Sequence, residues 1–100
     1  MALETTAFDP AEYLDNDEAI AGYLTDALET GDSAFIADAL GVVARAKGMK
    51  QIAEDAGLSR ESLYRALSGK GNPEFSTVLK VVSALGLRLS ATPSAQHPAE

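Results

Sequence analysis

The stretch MKQIAEDAGLSRESLYRAL, residues 49–67, decides how this chain folds. Apolar or small residues at Ile52, Ala53, Ala56, Leu58, Leu63, Ala66 and Leu67 recur at the spacing of two short helices, about 49–56 and 60–68. Gly57 stands where the first helix must stop and turn sharply. A left-handed backbone at a helix C-terminus is cheap for glycine and costly for most other residues. Ser59 then offers a side-chain oxygen to the exposed amides of the next helix, as an N-cap does. The pattern reads as a helix-turn-helix. Two short helices joined this way put the second on the surface, where it can enter a DNA major groove. The competing reading is a plain helical hairpin inside an all-α core.

Charge divides the chain in two. Residues 1–40 hold ten acids and no Lys or Arg, a net of −10. Residues 41–90 hold all eight basic residues against Glu54, Asp55, Glu61 and Glu74, a net of +4, and Glu100 completes the total of −7. Phosphate binding rests on positive charge and counterion release, so the acidic total by itself argues against nucleic acid. Read separately, the halves present an acidic arm beside a mildly basic helical module, two surfaces suited to different partners. The alternative for the acidic part is a solvated face with no partner.

One hundred residues, 46% of them hydrophobic, suit one domain with a modest core and leave little room for an enzyme cleft. No run approaches the ~20 apolar residues that span a bilayer. The opening MALETTAFDPAEYL has no basic region followed by an apolar stretch, so no secretory signal is expected there, and the expected address is the cytoplasm. The absence of cysteine excludes disulfides and thiolate metal sites. Catalysis is disfavoured. The single histidine, His97, lies in a polar tail without the fixed geometry that acid–base work needs. No ligand cluster suggests a metal. Gly69-Lys70-Gly71 lacks the length and preceding strand of a phosphate loop. No cofactor is expected.

The pattern is helical almost throughout. Asp9-Pro10 can start a short turn through Leu14. Asn16 or Asp17 begins a clearer helix with the stripe Ile20, Tyr23, Leu24, Ala27 and Leu28, ended by Gly31. Asp32 or Ser33 caps the next, in which Phe35, Ile36, Ala39, Leu40 and Val43 recur at helical spacing as far as Lys47 and Gly48. After the paired helices, residues 69–73 form a loop by composition. Asn72 and Pro73 look like the cap and first position of a last helix, whose buried face is Phe75, Val78, Leu79, Val82 and Leu85. Leu87-Arg88-Leu89-Ser90-Ala91 alternates apolar and polar, consistent with one short C-terminal strand. Such a strand needs a mate, for which Glu4–Phe8 of this or a second copy is a candidate. The expected organisation is an acidic N-terminal extension packed on the core (1–31), a helix-turn-helix domain (32–91) and a flexible tail (92–100).

Taken together these residues resemble the lambda-repressor-like (Xre-type) helix-turn-helix class, and within it the addiction-module antidote proteins, the HigA-like antitoxins. The resemblance rests on DPAEYL (9–14), ALGVVARAKGM (39–49), QIAEDAGLSRESLYRALS (51–68) and GNPEFSTVLKVVSALGL (71–87) in that order. It implies an all-α, five-helix DNA-binding domain with an N-terminal helical extension. It also implies an antitoxin that binds and silences a small RelE/ParE-like toxin and represses the shared operon. Dimers are usual in such proteins, because paired recognition helices match half-sites about 34 Å apart. Two rival readings stay open: a stand-alone repressor of the same fold, and a protein-interaction module that does not meet DNA.

For DNA, the exposed side of 60–68 should present Arg60, Glu61, Tyr64, Arg65 and Ser68. Either arginine can donate paired hydrogen bonds to guanine edges or phosphates, or be solvated. Tyr64 can contact phosphate, sugar or base edges. Glu61 can accept from a cytosine amine or simply favour a helix N-terminus. Ser59 can cap the helix and approach a phosphate. Lys50 and Gln51 open the preceding helix, where amides and a cation can anchor a phosphate. Repressors of the class commonly carry a glutamine about four residues before the alanine of that helix, whereas Gln51 is two before Ala53. Lys70 lies in the following loop, within reach of the backbone or free in solvent.

For the toxin, an acidic helix can cover a positive RNA-binding surface and speed encounter. Tyr13, Leu14, Tyr23 and Leu24 are the candidate apolar anchors, and Asp15, Asp17, Glu18, Asp26 and Glu29 the candidate charges. The equal alternative makes Tyr23 and Leu24 ordinary core and the acids solvent-facing.

Overall fold

A computed structural model describes residues 16–68 and 72–94. Five helices follow in order: α1 (Asp17–Glu29), α2 (Ser33–Lys47), α3 (Met49–Ala56), α4 (Arg60–Ala66) and α5 (Phe75–Ala84). Local chemistry starts three of them. Asn16 Oδ1 accepts the Ala19 N–H at 2.8 Å, Asp32 Oδ1 accepts those of Ala34 and Phe35 at 3.0 and 3.3 Å, and Ser59 Oγ accepts that of Ser62 at 3.0 Å. Each satisfies amides that a helix start leaves without an internal partner.

The core joins all five helices. Ile20, Leu24 and Ala27 of α1 meet Leu40 and Val43 of α2, Met49, Ile52 and Ala53 of α3, Leu63 and Leu67 around α4, and Val81, Val82 and Leu85 at the end of α5. α3 packs against α2, α4 and α5, while α1 packs on α2. An ion pair between Lys47 Nζ and Asp17 Oδ1, at 3.6 Å, also ties the end of α2 to the start of α1. Exposed pairs of this kind contribute about 0–1 kcal/mol, so burial holds α1 in place.

Three expectations about the second half are corrected. The last helix begins at Phe75, with Glu74 extended before it (φ −68°, ψ 151°), rather than at an Asn72 cap and Pro73. Pro73 is half-buried and lines the same apolar depression as Leu28 and Phe75, ahead of the helix start. α4 stops at Ala66, two residues early: Ser68 Oγ donates to the Arg65 carbonyl at 3.2 Å and closes the last turn. No strand occurs among the described residues, and 87–94 run without regular structure. A strand needs a neighbour for its backbone groups, and the suggested mate, Glu4–Phe8, lies outside the described residues, as does the turn at Asp9–Leu14.

Some apolar stripes also turn differently. Phe75 and Leu79 are 67% and 43% exposed, whereas Val81 is fully buried. Phe35 and Leu28 likewise stand half out of the core, at 51% and 44% exposed.

Candidate nucleic-acid interface

The turn between α3 and α4 consists of Gly57, Leu58 and Ser59. Gly57 adopts φ 74°, ψ 31°. Its N–H donates to the Glu54 carbonyl at 3.1 Å, and that of Leu58 to the Ala53 carbonyl at 2.8 Å. This paired closure requires a left-handed residue, which glycine adopts without a steric penalty. Ser59 then caps α4 at once, so one helix ends and the next begins within three residues.

Leu63 and Leu67 seat α4, at 0% and 4% exposure. With one side so anchored, 3.6-residue periodicity turns the opposite side outward. Arg60, Glu61, Tyr64 and Arg65 are all exposed there, and Ser68 beyond the helix is half-buried with its hydroxyl engaged on Arg65. The outward stripe thus carries two guanidinium groups, a phenol and one carboxylate. Lys50 is exposed in the first turn of α3, which Gly48 opens without a side-chain cap. Gln51 is exposed too, but its Nε2 donates to the Asp55 carboxylate at 2.9 Å, one turn along the same helix. Lys70 lies outside the described residues.

One residue that positions α4 was missed in the sequence. A Cβ built on Gly41 would lie 2.9 Å from the Leu67 carbonyl oxygen and 3.6 Å from the Leu67 Cβ. Glycine therefore lets α2 approach the end of α4 closely. The available signal was a lone glycine inside a helical pattern, which costs about 1 kcal/mol relative to alanine and so suggests a packing reason.

On the acidic side, Leu24 is buried at 7% exposure and Tyr23 packs against the core. Leu24 thus sits in the core, while Tyr23 is half-buried against it. Asp17, Glu18, Asp26 and Glu29 are exposed, and Asp17 faces Lys47. Tyr13, Leu14 and Asp15 lie outside the described residues, as does His97. No described helix is long and apolar enough to cross a membrane.

Comparison with known proteins supplies a family. A family profile described as "Probable addiction module antidote protein" matches residues 4–93. A Haemophilus influenzae protein, described as an uncharacterized protein, is 52% identical over 87 residues, covering 87% of this chain and 90% of its own length. No solved structure matches.

Proposed function

The chain belongs to the probable addiction module antidote family, and from that premise we propose that it is a HigA-like antitoxin of a type II toxin–antitoxin module. It neutralises a small basic RelE/ParE-like toxin and represses its own operon, acting in the cytoplasm without catalysis or cofactor. The family itself implies a toxin partner of some kind.

The observation that carries the DNA arm is the outward face of α4. Arg60, Tyr64 and Arg65 stand exposed on a helix seated by Leu63 and Leu67 and capped by Ser59. In a lambda-repressor-like, Xre-type domain this helix is the one that enters the major groove. Arg60 and Arg65 then meet guanine edges or phosphates, Tyr64 meets the backbone, and Glu61 and Ser68 flank them. Lys50 anchors a phosphate beside the uncapped start of α3, and Lys70 contacts the DNA backbone. Gln51, bonded to Asp55, contributes only if the phosphate replaces that carboxylate. The basic excess of residues 41–90, eight cations against four acids, supplies the non-specific part of the affinity. A homodimer places two α4 helices on two half-sites.

A mobility shift with the chain's own promoter, run at low and moderate salt, tests the DNA arm. Retarded promoter DNA that outlasts competitor DNA supports it, and equal loss on both DNAs refutes sequence-specific repression. Co-expression with the product of the adjacent reading frame tests the toxin arm, with restored growth as the supporting result.

A further inference from the structure

Two adjoining depressions, of about 90 and 220 Å³, share five lining residues: Leu28, Ile36, Leu40, Val78 and Leu89. They form one apolar groove between α1, α2, α5 and the segment after α5. Apolar side chains stand out around it, with Phe75 67%, Leu28 44% and Leu89 36% exposed. Single exposed apolar residues need no explanation, but a contiguous set around a groove marks an interaction site.

The rim indicates what fits. Ala21, Leu24, Thr25 and Leu28 form the α1 wall of the groove. Glu18, three residues before Ala21, and Glu29, four after Thr25, follow the outer edge of that wall by helical spacing, and both are exposed. Residues 16–40 hold six acids and no Lys or Arg, while Arg88 is the one basic residue in the described lining. A second copy set groove to groove would bring acidic edges together, which like-charge repulsion disfavours. A basic partner would meet both the apolar floor and the acidic edge favourably.

We propose that this groove receives the toxin: an apolar ridge of Leu, Ile, Met or Phe side chains enters it, and flanking Lys or Arg residues pair with Glu18 and Glu29. The inference rests on the antitoxin reading. It puts the apolar contact on the exposed side chains around the groove instead of on half-buried Tyr23, with buried Leu24 part of the groove lining.

The test measures binding of the purified product of the adjacent reading frame to the full chain and to two double variants, Phe75→Ala/Leu89→Ala and Glu18→Lys/Glu29→Lys. All four positions are exposed, so unchanged helical circular dichroism and melting are expected. Each pair should weaken binding by about tenfold or more, and the effect of the charge pair should shrink as salt is raised. If the unaltered chain does not bind that product, the antitoxin reading fails and this inference falls with it. If it binds and both variants bind equally well, the groove assignment is overturned while the reading stands. Light scattering on the same samples identifies the rival occupants. Partner affinity held constant while Phe75→Ala/Leu89→Ala turns a dimer into monomers would make the groove an interface between copies. Affinity held constant with a lowered melting temperature would mean that the chain's own residues cover it. Either result overturns the proposal.

Discussion

Gly41 and Arg65 act on the same helix from opposite sides, and their substitutions separate support of the helix from its contact with DNA. Gly41→Ala gains roughly 1 kcal/mol of helix propensity. Its Cβ, however, would sit 2.9 Å from the Leu67 backbone oxygen, which cannot rotate aside as a side-chain end can. Overpacking of this kind costs about 1–3 kcal/mol, so the net expectation is destabilisation of up to about 2 kcal/mol. Urea unfolding measures it, and a more stable variant would show that α2 and α4 relax apart freely. Because Leu67 ends α4, the same variant should also weaken promoter binding. Arg65→Ala should behave differently. The side chain is exposed, so melting should not change, yet operator affinity should fall by about 1–3 kcal/mol if the guanidinium reads a base. Discrimination at a single operator position should fall with it. Unchanged affinity for the natural promoter would remove Arg65 from the interface.

At the scale of elements, Ser59 is the side chain that caps the start of α4, a helix of seven residues. So short a helix is marginal without its cap and its tertiary contacts. Ser59→Ala should therefore cost about 0.5–2 kcal/mol, with Ser59→Asp retaining most of the stability. A thermal melt of the three proteins checks this. That cap was legible in the sequence, as were the turn at Gly57 and, each as one of two adjacent candidates, Asn16 and Asp32, because each depends on hydrogen bonds within a few residues. Arg60, Glu61, Tyr64 and Arg65 were legible as outward-facing for a similar reason, since Leu63 and Leu67 fix which side is buried, whereas Ser68 is half-buried past the end of the helix. Elements whose ends depend on distant neighbours were not. Asn72-Pro73 carries the local grammar of a helix start, but Pro73 lines a depression shared with Leu28, a residue far away in sequence. Alternation over 87–91 suggests a strand, yet a strand exists only where another backbone pairs with it. Period alone marked Phe75 and Leu79 as core along with Val82 and Leu85, whereas the real core keeps the last two, admits Val81 and leaves Phe75 and Leu79 outside. Asp55 lies four residues after Gln51, the spacing at which helical side chains meet, so that hydrogen bond was within reach of the pattern.

Over the whole molecule, the acidic half and the basic half share one core, which changes how their functions can be separated. Charge suggests a detachable arm, and deletion of residues 1–31 looks like the natural way to remove partner contact while keeping DNA binding. The packing argues otherwise. That deletion removes Ile20, Leu24 and Ala27, which are 1%, 7% and 2% exposed, and leaves Leu40 and Val43 without the neighbours that cover them. Burying Ile or Leu contributes about 1.5–3 kcal/mol each, so the two larger side chains alone account for roughly 3–6 kcal/mol. Small domains are stable by only about 5–15 kcal/mol in total. The shortened chain should therefore melt at least ~12 °C lower, at about 4–8 °C per kcal/mol for a domain of this size, or fail to fold. Loss of both activities together would then report unfolding rather than a shared surface. Substituting the exposed acids Glu18, Asp26 and Glu29 by Gln leaves every buried side chain in place. Surface changes of this kind usually stay within about 0.5 kcal/mol each. The triple variant should keep its melting temperature and its promoter shift and lose speed of association with a basic partner, most visibly at low salt. Stopped-flow association rates beside a thermal melt distinguish the cases. A deletion that melts like the full chain would show that α1 is dispensable to the core, and an unchanged association rate in the triple variant would leave the acids as a solvated face.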